Sequence, residues 1–468
     1  MNKLRSLIWI FVITLTLTTC SATIGSNATS QFSTPTLYLP VVTNNYPDRS
    51  IIGVDGNSYL QQIANTGVRF LRLNTQLWWS DIESTKGRYD WDKAARVEEL
   101  IMEASANRLD VILLMQTAPV WAREYPGSLC GPIKDEELDA FAAFVGEAVR
   151  RYSVPPFNVK YYQIWNEPDQ FVKETDSGNN NGCWAESTND YSGNRYGEML
   201  TKVYPILKNI NPNAQLLIGS LMMTCDPRDP NPQDYCAETN WRSSANFFEG
   251  ILQEAKESFD IVMFNSGPSF VAGQNPVWTE MNNWRWKVER GGLVNGKINY
   301  LRDLMLKYGV NKPIIHSEAY LLDRPEAPDD YESFEDYKAD YLVWVYANGW
   351  SQDLKAVTWY SIEGWKGSEL IRRDGSETKA LQALKTMTGF LHQAQFLSRD
   401  DNIGYTRFIF RKGNELTWLL IPTGQQYGME YSIPIPSKFK KAIDLFGNEQ
   451  AVTDTIRFSR PTYVFLNQ

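Results

Sequence analysis

The sequence predicts an α/β protein: a closed (β/α)8 barrel followed by a small antiparallel β domain. Three observations carry this. From Ile51 onward, short apolar runs alternate with longer segments of helical periodicity. The runs number eight, the count that closes a barrel. Past Phe396 the pattern changes to short alternating strands separated by Gly, Asn and Pro. An open doubly wound sheet is the alternative, and it would need a Gly-rich phosphate loop after an early strand, which the chain lacks.

Residues 1–22 read as an export signal, with Lys3 and Arg5 ahead of an apolar run too short to span a membrane. Leu17-Thr18-Thr19-Cys20 resembles a bacterial lipoprotein box, and cleavage after Ala22 is the equal alternative. The expected location is therefore extracellular, either secreted or lipid-anchored at the bacterial cell surface, with the membrane touched only through that anchor. Residues 23–48 are Ser/Thr/Asn-rich and suit a tether, apart from an apolar run at 37–42. The barrel is expected over 49–394. Its strands are 51–54, 68–73, 109–115, 159–165, 215–218, 260–264, 313–317 and 355–360, each β-branched or aromatic and bounded by turn formers. Helical periodicity marks 91–107, 136–152, 195–210, 245–257, 298–308, 337–348 and 377–392. Residues 395–468 form the accessory, sandwich-like β domain, with strands expected at 405–411, 415–421, 431–435, 442–446 and 462–466.

Composition narrows the partners. The 468 residues carry 46 basic and 55 acidic side chains, a formal net charge of −9. That balance offers nothing to nucleic acid or to an anionic membrane, both of which attract basic patches. The 16 Trp and 24 Tyr suit core packing and also stacking on the apolar faces of sugar rings. A monomer is expected. After Cys20, four cysteines remain, all in Gly/Pro/Asn-rich segments, and export permits disulfides. Of the three connectivities, Cys225–Cys236 closes a short local loop and leaves Cys130–Cys183. Zinc is the competing use, but there is no CxxC pair and His occurs twice.

Two strands end in the same way. The fourth runs Tyr161-Tyr162-Gln163-Ile164-Trp165 and then stops at Asn166-Glu167-Pro168, because Pro168 has no N–H for the ladder. The seventh, Pro313-Ile314-Ile315-His316-Ser317, ends in Glu318 and leads to Tyr320. A Glu before a Pro is common in ordinary loops. Two carboxylates delivered to one rim, at the strand ends where parallel α/β folds place their chemistry, point instead to acid/base work on a single bond.

At these residues the chain resembles the clan A, or 4/7, glycoside hydrolases, over roughly 51–394. Trp165-Asn166-Glu167-Pro168 and Ile315-His316-Ser317-Glu318 are similar to that clan's two catalytic signatures. Val68-Arg69-Phe70-Leu71-Arg72-Leu73, with the loop from Trp78 to Trp91, is similar to its second strand, and Thr117-Ala118-Pro119-Val120-Trp121-Ala122 to its third-strand exit. The β-xylosidase-like and cellulase-like branches show the greatest similarity, including a C-terminal β domain.

The resemblance implies that Glu167 is the acid/base and Glu318 the nucleophile. It implies that Asn166 bonds a sugar 2-hydroxyl and Arg72 steadies the ionised nucleophile. Arg72 alternates with apolar Leu71 and Leu73, so it should face the barrel interior. Trp359 on the eighth strand either floors the subsite beside the scissile bond or is one more core aromatic. Trp121 is a further candidate for substrate contact. The sixth strand departs from the clan, whose His and Tyr are replaced by Asn265 and Gly267. Asn265 can replace some polar contacts, and Tyr320 is the candidate to supply the missing hydroxyl.

The expectation is an exported retaining β-glycosidase acting on poly- or oligosaccharides by double displacement. It would need no cofactor or metal, since the two Glu supply nucleophile and proton transfer. The rival is a carbohydrate-binding barrel that has lost turnover. An inverting hydrolase, which needs its carboxyls about 6.5–9.5 Å apart, fits the barrel poorly.

Overall fold

The structure, a computed structural model, describes residues 50–171, 183–186, 191–230, 246–326 and 328–467. The expected leader, the linker with its run at 37–42, and Cys236 lie outside the described residues.

Among the described residues, eight parallel strands make the barrel: β1 Ile52–Asp55, β2 Phe70–Arg72, β3 Asp110–Gln116, β4 Tyr161–Asn166, β5 Gln215–Ser220, β6 Val262–Ser266, β7 Ile314–Ala319 and β8 Ala356–Tyr360. They pair in the order 5-4-3-2-1-8-7-6. Parallel bridges Leu217 to Ile261 and Leu221 to Phe264 join β5 to β6 and close the ring. A helix follows each strand: α1 Leu60–Ala64, α2 Ala95–Ala106, α3 Leu138–Tyr152, α4 Gly193–Ile210, α5 Phe247–Ala255, α6 Gly292–Lys307, α7 Pro328–Ser351 and α8 Lys379–Leu391. The predicted fold class is the observed one.

Strand parity organises the interior. Phe70, Ile112, Tyr161, Met263, Ile315 and Ala356 point inward and belong to one apolar plug. Two residues further along each strand the next inward side chain is mostly polar and still buried: Arg72, Gln163, Asn265, Ser317 and Thr358. The barrel is therefore sealed by hydrocarbon toward the strand N-termini and polar toward the C-termini. That division places a hydrogen-bonding floor beneath the mouth.

Parity breaks where the two glutamates emerge. Trp165, Glu167 and Glu318 are non-glycine residues in the left-handed region, with φ of 65°, 47° and 52°. Ser317 points inward, so regular alternation would turn Glu318 outward. Instead, the ladders on both sides of β7 shift register around it, and the bulge carries its side chain to the mouth. Left-handed residues of this kind cost roughly 1–3 kcal/mol each and persist only where surrounding contacts over-determine them.

The C-terminal strands form, among the described residues, a six-stranded antiparallel sheet ordered Gln395–Asn402, Tyr405–Lys412, Glu415–Pro422, Thr462–Asn467, Phe439–Asp444, Glu449–Gln450. A second layer pairs Tyr431–Pro434 with Thr455–Phe458. Leu420, Ala442 and Val464 pack on Ile433, Ile456 and Phe458 of that layer. The opposite parity, including Leu419, Ile421 and Phe465, joins the main core of the barrel. Phe390 of α8 meets Tyr463 and Phe465 edge-on at 5.1 and 5.0 Å.

Several elements differ from expectation, among them the short strands Glu449–Gln450 and Thr455–Phe458 and the helix Leu60–Ala64, where none is expected. Gln395–Asn402 is a strand although Ser398-Arg399-Asp400-Asp401 breaks its apolar pattern; it is an edge, where charge protects unpaired backbone. Helices α6 and α7 start earlier than their periodicity suggests. Gly292 reads as a breaker yet opens α6, and Pro328 opens α7, where a missing N–H costs nothing.

The Cys130–Cys183 disulfide is present, with the Cα atoms 5.3 Å apart. Cys225 is also disulfide-bonded. The first bridge braces β4, because the Trp165 indole donates to the Cys130 carbonyl at 2.9 Å. Trp184 N donates to the Pro168 carbonyl at 2.9 Å, which ties the bridged loop to the turn after Glu167.

Candidate active site

At the C-terminal mouth of the barrel lies a cavity of about 540 Å3. Arg72, Asn166, Glu167, Glu318, Tyr320 and Tyr360 are among the residues that line it. The two glutamates arrive from β4 and β7, and the cavity is shared between them.

Arg72 is the hub. Its guanidinium donates to four partners: Asp55 at 2.7 Å, Glu318 at 2.6 Å, Gln163 at 2.8 Å and Asn166 at 2.7 Å. The guanidinium is buried, its side chain 3% exposed, and burial alone would disfavour its charge; Glu318 and Asp55 hold the proton on. Asp55 has no exposed surface, and burial pushes its carboxyl up to about 6 against the pull of Arg72. Glu318 therefore faces the cavity with one oxygen fixed on a cation.

Glu167 is held differently. One carboxyl oxygen accepts from the Asn265 amide at 2.9 Å and the other from Gln170 at 2.7 Å. No cation among the described residues lies within ion-pair distance of it. Burial, and next the charge of Glu318, push its carboxyl up to about 8. One carboxylate is thus paired with a cation, while its neighbour keeps its proton through neutral pH. A pair divided in this way can supply a nucleophile and an acid.

The other predicted residues divide between the cavity and its surroundings. Asn166 and Tyr320 line the cavity, whereas Asn265 stands behind Glu167 and also accepts from Ser317 at 3.0 Å. Gly267 has no room for a side chain, since a Cβ there would lie 2.0 Å from the Tyr320 carbonyl oxygen and 2.5 Å from its ring. Tyr320 occupies the space a side chain at 267 would need.

Two candidate contacts stand away from the cavity, and of the two readings of Trp359 the core aromatic holds. Trp359 is fully buried in the core, its indole donating to the Ser368 carbonyl at 2.8 Å. It has the outward parity of β8: Thr358 and Tyr360 point in, and Tyr360 lines the cavity. Trp121 packs on Trp79 at 5.2 Å and donates to the Glu83 carbonyl, so it stands in the wall behind the second-strand loop. The sequence reading missed Asp55, Gln170, Tyr360 and Trp365. For Asp55 there was a usable signal, because it ends β1 in register with Arg72. Trp365, 54% exposed at the rim, sits in a loop with no pattern to reveal it.

No protein-family model and no curated protein sequence matches the chain. Solved structures do. A family 39 glycoside hydrolase from the gut symbiont Bacteroides cellulosilyticus WH2 superposes with a TM-score of 0.65 at 16% identity, covering 89% of this chain and 81% of that one. A GH30 endoxylanase from Clostridium papyrosolvens C71 gives 0.56 at 13%, covering 90% and 97%. A glucosidase from Croceicoccus marinus gives 0.54 at 13%, covering 89% and 95%. The chain shares its fold, barrel and β domain together, with glycoside hydrolases. At these identities the likeness is one of fold.

Proposed function

We propose that this chain is a retaining β-glycosidase, exported from its cell, that hydrolyses β-linked poly- or oligosaccharides with Glu318 as nucleophile and Glu167 as acid/base. The observation that carries the reading is the asymmetric pair of carboxyls in one cavity, Glu318 on Arg72 and Glu167 buried on Asn265 and Gln170, where desolvation favours its proton. Glu318 attacks the anomeric carbon while Glu167 protonates the departing oxygen, leaving a glycosyl ester on Glu318. Esterification removes the Glu318 charge, one of the causes that hold the proton on Glu167. Glu167, having given up that proton, then takes one from water, and the hydroxide equivalent cleaves the ester. Asn166 is aimed at the cavity by its bond to Arg72 and serves the sugar 2-hydroxyl. Trp365 offers an exposed apolar face for a sugar ring at the rim. The Cys130–Cys183 bridge supports an oxidising compartment.

The neighbours include an endoxylanase and a glucosidase, so xylosides and glucosides head the list of substrates to try. Incubation with a panel of 2-deoxy-2-fluoro aryl β-glycosides, read by intact mass and peptide mapping, tests the assignment. One sugar adduct on the peptide containing Glu318 is expected. Labelling elsewhere would remove Glu318 from the mechanism, and no labelling with any sugar would favour a carbohydrate-binding barrel without turnover.

A pH profile follows from the proton on Glu167. kcat/KM reports the free enzyme, where Glu167 must be protonated, so the rate falls as pH rises through about 8. Each further unit costs about tenfold. The profile measured with an aryl β-glycoside should stay level through neutrality; a descending limb near the ordinary carboxylate range would contradict the assignment.

A further inference from the structure

Behind Glu167, outside the cavity, lie two buried charges that the proposed chemistry does not use. Lys297, on α6, is 3% exposed, and its ammonium donates to the carbonyls of Met222 at 2.7 Å and Asn265 at 2.9 Å. Asp169, two residues after Glu167, is fully buried, and its two oxygens accept from Met222 N at 3.0 Å and Met223 N at 2.7 Å. These contacts close a ring. Chain from Glu167 leads to Asp169, Asp169 holds the Met222–Met223 turn, Lys297 links that turn to Asn265, and the Asn265 amide returns to Glu167 at 2.9 Å.

We propose that Lys297 and Asp169 are positioning residues for Glu167, fixing from behind the barrel wall the Asn265 amide on which its carboxyl rests and the Met222–Met223 turn beside it, and so poising it as an acid. The inference rests on the acid/base role given to Glu167. Geometry supplies the first half. Lys297 bridges β6 to the loop after β5, so the amide that supports Glu167 and the turn that Asp169 holds are tied together. Met223 is left-handed, with φ of 43°, and Asp169 bonds its N–H, which pins a turn that would otherwise relax. A lysine in this wall costs desolvation that a methionine would not, but a methionine would leave two buried carbonyls unpaired.

Electrostatics supplies the second half. The charged groups facing Glu167 are Glu318 on β7, Arg72 on β2 and Asp169 on its own turn; Lys297 on α6 and the hydroxyls of Tyr320 and Tyr360 complete the set. Lys297 itself faces Asp169, Glu167, Arg285 and His316. Negative Asp169 favours the protonated acid, whereas Lys297 holds in place the Asn265 amide, whose hydrogen bond favours the ionised one. Burial brings Lys297 down to about 7 and lifts Asp169 to about 6, so where Glu167 titrates Asp169 carries its charge, while Lys297 has largely shed its own and acts through the Asn265 it holds.

The test is a pair of substitutions in the full chain, Asp169→Asn and Lys297→Met. Each is read by the pH dependence of kcat/KM on an aryl β-glycoside and by infrared titration of the Glu167 carboxyl, with Glu167→Gln identifying its band. Asp169→Asn should move the descending limb to lower pH, and Lys297→Met to higher pH, each by about one unit. A residue that merely held the fold would depress activity without displacing the limb. Limbs that stay in place, or that both move the same way, overturn the proposal. If Lys297→Met does not fold, Asp169→Asn decides alone: a downward shift upholds the proposal and an unmoved limb overturns it. An unsubstituted chain that turns over no glycoside sinks the glycosidase reading; the infrared titration then still decides whether the two residues govern the Glu167 proton.

Discussion

Replacing Glu318 by alanine is expected to lower turnover of an aryl β-glycoside by about 10^4- to 10^6-fold, the scale seen when a covalent nucleophile is removed. The loss should appear in kcat rather than in folding. Arg72 retains Asp55 at 2.7 Å, Gln163 and Asn166 when Glu318 is gone, so its buried charge keeps a counter-ion. Circular dichroism and thermal unfolding of Glu318→Ala should therefore stay close to those of the parent. The vacated carboxylate leaves space for a small anion, and azide should restore part of the rate with formation of a glycosyl azide of inverted configuration. Turnover that survives the substitution would end the double-displacement assignment, because the second carboxyl has no group to take its place.

Removal of Arg72 should damage stability and catalysis together. Arg72→Met strips a buried cation from two carboxylates and two amides at once. Breaking a buried ion pair from one side costs about 3–5 kcal/mol, because the remaining charge is left uncompensated. The loss should depend on pH. Asp55 already binds its proton more tightly when folded than its ordinary value of 3.8, at about 6. Without Arg72 it binds the proton more tightly still. A carboxyl raised in this way contributes its full stability below the unfolded value and loses it as pH rises through the folded one. Arg72→Met should accordingly look least damaged in acid and worst at neutral pH and above, as measured by urea unfolding across that range. Adding Asp55→Asn to Arg72→Met should recover part of the loss. A deficit that is flat with pH and unaffected by the second substitution would show that Arg72 acts through packing alone. In catalysis, an unanchored Glu318 and a misdirected Asn166 should reduce kcat/KM by about 10^2-fold or more.

Much of this molecule could be read without coordinates, for identifiable reasons. The eight barrel strands are apolar runs bounded by turn formers, and a parallel strand buried on both faces advertises itself by composition. Glu167 stood out because Pro168 ends the ladder directly after it, and Arg72 because a guanidinium between Leu71 and Leu73 must find partners inside. Gln395–Asn402 escaped notice because an edge strand is selected for charge rather than for hydrophobicity. Trp359 stayed open between two readings because an aromatic near a strand end suits binding and core alike, and its parity sends it into the wall and leaves the mouth to Tyr360.

By itself the sequence determined the barrel, the appended β sheets and the pair of glutamates, since these follow from local periodicity and chain-stopping residues. Tertiary structure alone decided what surrounds each carboxyl. The left-handed turns at Trp165, Glu167 and Glu318 override strand alternation, and Lys297 reaches Glu167's supports from a helix more than a hundred residues away. Such contacts depend on how the ring closes in space, and a closed ring brings together side chains that no local pattern relates.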